Sequence, residues 1–111
     1  MSEPDLVVPD LVVPDLVLRA LAGQWHPSEK LQKLHFVDVA LMLGVPTNVA
    51  HAAILAYNAT GKRRQAGLLR ARARASRNPL ESAVWLDDAA TLMEHASKLV
   101  ASCMDVLGRS A

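Results

Sequence analysis

The sequence predicts an all-α fold: a small helical bundle of four to five helices with a long C-terminal helix, an extended N-terminal Pro-Asp-Leu-Val repeat tail, and assembly as a homodimer. Three observations carry that expectation. Apolar residues make up 51% of the chain and aromatic residues only 4%, so a core must be assembled from Ala, Leu and Val, which suits closely packed helices. Gly and Pro divide the chain into segments that each open on a residue able to cap a helix. The C-terminal stretch carries two side-by-side apolar series with a seven-residue period. At 111 residues there is room for one domain, assigned to residues 14–111, preceded by a tail over residues 1–13.

The tail consists of Pro4-Asp5-Leu6-Val7-Val8 and Pro9-Asp10-Leu11-Val12-Val13, a five-residue period continued by Pro14-Asp15-Leu16-Val17-Leu18. Proline at every fifth position removes backbone donors and holds its predecessor out of the helical region, so an extended tail is expected. Its Leu-Val-Val segments could also add as a strand to an exposed sheet edge. The third copy differs, because Asp15 can cap a short helix over Leu16 to Ala22 that Gly23 ends.

Ser28 is the expected cap of a second helix running to about Leu43, closed by Gly44 and Pro46. Thr47 caps a third, about Asn48 to Ala59, stopping near Gly61, and residues 62–76 have helical propensity with uncertain limits. The last start signal is the clearest: Asn78 as N-cap, Pro79 at the first helical position and Glu81 at the third suggest a capping box. That helix is expected to reach Leu107 and end at Gly108.

Within it Trp85, Leu92, Leu99 and Val106 form one seven-residue series, and Leu86, Met93, Val100 and Leu107 form another. Ala89, Ala96 and Cys103 lie between members of the first and are small enough to admit another helix closely. A second copy of the chain is the expected cover, with Trp85, Ala89, Leu92, Ala96, Leu99, Cys103 and Val106 as the dimer interface. On the second helix, Leu34, Val37 and Leu41 fall on one side while Gln32, Phe36, Val39 and Leu43 fall nearly opposite. The first stripe would serve the core and the second would dock a partner, unless the helix is buried on both sides.

The formal charge of +1 gives no bulk reason to expect nucleic acid or an anionic membrane as ligand. Asp38, His51 and Arg19 interrupt every run that approaches the roughly 18 apolar residues needed to span a bilayer. One cysteine and no signal-peptide pattern make the cytoplasm the expected location. His26, His35, His51 and His95 lack the spacing of metal ligands, and Asp87-Asp88 is explained by a helix N-terminus, so neither a catalytic centre, a metal nor a cofactor is expected.

Two features point instead to DNA. Arg63, Arg70, Arg74 and Arg77 would share a helical face within the segment 62–77, as a phosphate-contacting stripe would. The run Val39 to Asn48, with its turn at Gly44, resembles a helix-turn-helix, although the helix that follows is nearly all apolar. Both features read more simply as a solvated helix and a core helix, so nucleic acid is the less favoured partner and a small DNA-binding regulator the alternative function.

Across the Pro-Asp-Leu-Val repeats and the segment Asn-Pro-Leu-Glu-Ser-Ala-Val-Trp from Asn78 to Trp85, the chain resembles the small bacterial anti-activators of quorum sensing. The likeness is one of overall sequence without a diagnostic motif, so it assigns a role to no individual residue. It implies a helical homodimer that binds the ligand-binding domain of a LuxR-type transcriptional regulator such as LasR. Such a protein occupies the regulator's dimerisation surface and prevents DNA binding.

Overall fold

The computed structural model describes residues 13–109 and contains five helices among them: α1 (Asp15–Leu21), α2 (Glu29–Gln32), α3 (Phe36–Leu43), α4 (Thr47–Ala75) and α5 (Pro79–Arg109). The repeat tail expected over residues 1–13 lies outside the described residues except for Val13, which packs against the core beside Val17.

The two long helices dominate. At 1.5 Å per residue α4 and α5 are each about 45 Å long, and the short turn Ser76–Asn78 returns α5 antiparallel along α4. The turn is held by its own polar groups. Asn78 Oδ1 accepts from the backbone N–H of Leu80 at 3.0 Å and of Glu81 at 3.3 Å, which caps α5. The reciprocal half of the capping box is rerouted through Ser76, whose hydroxyl donates to the Glu81 carboxylate at 3.1 Å and accepts from Asn78 N–H at 3.1 Å.

The seam between α4 and α5 is made of small residues. Ser82 Oγ donates to the Ala73 carbonyl at 2.9 Å, which sets the register of the antiparallel pair. Stepping seven residues along each helix in opposite directions from that bond pairs Ala66 with Ala89, Ala59 with Ala96, and Ala52 with Cys103, all of them buried. Helices lined by small side chains can approach closely along their whole length, and burial here comes from backbone proximity rather than from large rings.

That seam corrects two expectations. Helix α4 does not stop near Gly61: it runs through Gly61 and Gly67 to Ala75, because the alanines at positions 52, 59, 66 and 73 gain a continuous partner in α5. Interior glycines cost roughly 0.5–1 kcal/mol each, less than packing against α5 returns. Gly108 likewise sits inside α5 rather than ending it.

The short helices pack at the open end of the hairpin. Helix α1 lies on α4, where Val17 and Ala20 join Val49, Ala52, Ala53, Ala56, Cys103, Val106 and Leu107 in the larger core cluster. Its first residue is Asp15 rather than Leu16, and Asp15 pairs with Arg19 one turn on at 3.0 Å. The helix expected from Ser28 to Leu43 is broken in two. Ser28 caps α2, its hydroxyl accepting from Leu31 N–H at 3.2 Å, and His35 caps α3, its Nδ1 accepting from Val37 N–H at 3.2 Å. The break lets Leu31, Leu34 and Val39 reach one cluster with Ala40 and Ala50, which an unbroken helix would have split between opposite faces.

Candidate functional site

Helix α3 inverts the expectation placed on its two stripes. Phe36, Val39, Ala40 and Leu43 follow the i, i+3, i+4, i+7 spacing of a single buried face, and that face packs on α4, with Val39 1% exposed. Phe36 is stacked on His51 of α4 at 4.2 Å between ring centroids, and against His35 at 4.2 Å on its other side. Gln32 lies on α2, its amide donating to the Pro27 carbonyl at 2.9 Å. Gln32, Phe36, Val39 and Leu43 therefore do not form one exposed docking stripe. The exposed side is the opposite one: Leu41 is 77% exposed, and Val37 and Met42 are open beside it.

The residues expected at a dimer interface divide in the same way. Ala89, Ala96 and Cys103 close on α4 of their own chain, and Val106 enters the core. The cover for the small row is the matching alanine row of α4, interrupted in sequence by Gly61 and Gly67 but continuous in space. Trp85, Leu92 and Leu99 remain half-buried along one flank, while Met93 and Val100 are half-buried along the other.

Beyond the reach of α1, α2 and α3, the distal half of the hairpin has no third layer among the described residues. The molecule measures 57 × 42 × 19 Å, its radius of gyration of 17.6 Å well above the about 13 Å of a compact chain this size. Large apolar side chains crowd this half. Leu80 (80% exposed) and Val84 (58%) project from the first turns of α5, Leu68 (61%) from α4, and Leu86 (49%) flanks the seam. A groove of about 270 Å³ runs between the two helices, lined by Gln65, Leu68, Leu69, Arg72 and Leu92. Leu68 and Leu69 had no place in the sequence-based site because residues 62–77 read as an arginine segment, and Leu80 and Val84 because they belong to neither seven-residue series of α5. The period of seven shared by Ala52, Ala59, Ala66 and Ala73 is the signal that makes α4 one helix and reveals this surface.

The basic segment shares that half. Arg63, Arg70 and Arg74 are exposed on α4, whereas Arg77 falls in the turn and off the stripe. Arg72 and Arg74 sit in the last turn of α4, where positive charge complements the helix dipole. Among the described residues none of these arginines has an ion-pair partner; the pairs present are Arg19–Asp15 and Arg109–Asp105.

The turn between α3 and α4 does have helix-turn-helix proportions. Gly44 adopts φ 68°, Val45 N–H bonds to the Ala40 carbonyl at 3.1 Å, and the chain bends by 110°. The helix that follows, however, buries Val49, Ala50, Ala52 and Ala53, and covers His51 with Phe36. Few groups are left there to read base edges.

Among the described residues no three His, Cys, Asp or Glu side chains come together, and no single helix is long and apolar enough to cross a membrane. Burial raises the Cys103 thiol above its ordinary value. The architecture thus defines an all-α protein in which an alanine-seamed antiparallel hairpin carries short helices at one end. No protein-family model, curated protein or solved structure matches the chain significantly.

Proposed function

We infer that the protein is a protein-binding negative regulator that captures a LuxR-type transcription factor through the distal half of the α4–α5 hairpin. One observation carries the protein-binding part of this reading. Leu68 lines a groove with Leu69 and Leu92 on the bare half of the hairpin, and Leu80, Val84 and Leu86 are large, apolar and about half or more exposed on the same half; exposed apolar surface around a groove marks interaction sites. The identity of the partner rests on the resemblance of the repeats and of residues 78–85 to quorum-sensing anti-activators. Occupying the regulator's dimerisation surface would hold it as a monomer by mass action, and a monomer cannot span two DNA half-sites. A second copy of the chain can share the same apolar flanks, and the acidic Glu81, Asp87, Asp88 and Glu94 of α5 offer partners for the unpaired arginines of α4 in that assembly.

The second reading, DNA binding, is favoured by the unpaired arginines of α4 alone. The two are separated by pull-down of the purified ligand-binding domain of a LasR-like receptor and a gel shift on mixed duplex DNA at about 100 mM salt. Leu68→Glu with Leu86→Glu should reduce capture by about 100-fold or more, since central apolar anchors are commonly worth about 2 kcal/mol each. Arg70→Glu with Arg74→Glu should leave it unchanged. Retardation of DNA at roughly 1–100 µM protein that the arginine reversals abolish would replace the anti-activator reading with the DNA-binding one.

A further inference from the structure

We propose that the cleft between the α1–α2 connection and the middle of α4 binds a small organic anion, a carboxylate carrying a ring or short apolar chain. The cleft has a volume of about 430 Å³, within the roughly 300–1,000 Å³ range of small-molecule sites. It lies away from the hairpin tip and stands independently of the protein-binding reading.

The local fold builds it from both sides. Gly23 ends α1 with φ 74°, a conformation that places the connection directly on α4. A Cβ at Gly23 would stand 3.3 Å from Thr60 Cγ2, a tight contact, and 3.6 Å from a guanidinium nitrogen of Arg64, so the turn lies directly against Thr60 with Arg64 beside it. The Thr60 hydroxyl donates to the Ala20 carbonyl at 2.7 Å and pins the end of α1 to α4. Trp25, two residues after Gly23 in the connection, meets Tyr57 of α4 edge to face at 6.1 Å, which gives the cleft an aromatic wall.

Its charge is one-sided. Lys62, Arg64 and His26 line it, and no Asp or Glu does among the described residues. Neither Lys62 nor Arg64 has an ion-pair partner there, and Lys62 is half-buried. Unneutralised cations in a concave setting attract an anion, and the fork of the exposed Arg64 suits a carboxylate. Asn58 and Gln65 add neutral hydrogen-bonding groups at the same mouth.

The opposite wall selects an organic ligand over an inorganic ion. Trp25, Tyr57 and Asn58 also bound a second, more enclosed space of about 120 Å³ lined by Leu31, Leu34, Val39 and Ile54. A ring or short chain on the Trp25–Tyr57 wall would lose apolar surface to the protein, a gain that phosphate or sulfate cannot make.

The test uses the full chain carrying Trp85→Phe, so that fluorescence reports Trp25 alone, titrated with 3-phenylpropanoate in low-salt buffer. The expected result is a saturable change in emission, weakened about ten-fold or more in 3-phenylpropanamide, which has the same shape without the charge. Adding Lys62→Gln and Arg64→Gln should weaken the acid to a similar degree while far-UV circular dichroism stays unchanged, since both side chains reach the surface of α4. The absence of saturation up to about 10 mM, weaker than the roughly millimolar binding expected of a small ligand, would overturn the proposal. So would equal binding of acid and amide, indifference to the two substitutions, or competition by inorganic phosphate as strong as by the acid.

Discussion

At the scale of single residues, the small size of the seam residues is the property on which the hairpin rests. Ala66 and Ala96 are fully buried between the two long helices. Ala96→Leu forces four heavy atoms into a space sized for one methyl group, and overpacking of this kind costs about 1–3 kcal/mol. The melting temperature should fall by roughly 4–8 °C per kcal/mol, measured by circular dichroism; an unchanged value would mean that the helices separate without cost. Gly67 is the opposite case, being helical and exposed with open space where a Cβ would lie. Gly67→Ala should raise stability by about 0.5–1 kcal/mol in chemical denaturation. Cys103 belongs to the same seam, opposite Ala52. Because burial raises its thiol, the folded state keeps the proton that the unfolded chain releases. Its contribution to stability is therefore intact below the ordinary thiol range and is lost as the pH rises through and beyond that range. A disulfide-exchange reagent should label Cys103 only as fast as the hairpin opens, and rapid labelling of native protein at pH 8 would contradict the buried seam.

At the scale of elements, α3 shows how a one-residue choice of break reassigns a face. The His35 cap starts a new helix whose phase is independent of α2, so Phe36, Val39 and Leu43 turn inward and Val37 and Leu41 turn outward. Phe36→Ala with Val39→Ala is accordingly a stability variant and not a clean probe of partner binding. Removing a fully buried valine side chain alone costs about 2 kcal/mol, and the double variant should lose the α3 contribution to helicity before the hairpin melts. Leu41→Glu, on the exposed side of the same helix, should leave the unfolding transition within about 0.5 kcal/mol of the parent.

At the scale of the molecule, the hairpin extends past its supporting helices and leaves apolar flanks that a second chain can cover. The homodimer proposed above is measured by light scattering at tens of micromolar protein, where an interface of micromolar affinity is substantially occupied. The wild type should scatter as a dimer. Leu92→Glu with Leu99→Glu should give a monomer, and because both positions are half-buried, the fully folded control is Leu68→Glu with Leu86→Glu. A monomeric wild type at that concentration would remove the dimer from the proposed mechanism and leave the partner-binding surface to stand alone.

Much of the fold was legible in local chemistry. The capping residues Ser28 and Asn78, Gly23 and Gly44 as stops, and the seven-residue series of α5 are properties of short stretches, and short stretches decide helix ends and periodicity. What local chemistry could not decide was which partner each face meets. Gly61 and Gly67 weaken a helix considered alone, and only α5 lying alongside makes α4 continuous to Ala75. Ala89, Ala96 and Cys103 announce a close-packed neighbour without saying whether it belongs to the same chain. The Ser82–Ala73 register answers that for the seam, since it brings two alanine-rich rows into line. The candidate surfaces follow from the same cause. Leu68 beside Leu92, and Trp25 beside Lys62 and Arg64, are far apart in sequence, and they are brought near one another by the antiparallel return of α5 and by the seating of α1 on α4. Burial is a property of pairs of elements, so the sequence determined the helices and their periods, and the tertiary packing alone determined which faces were left over for function.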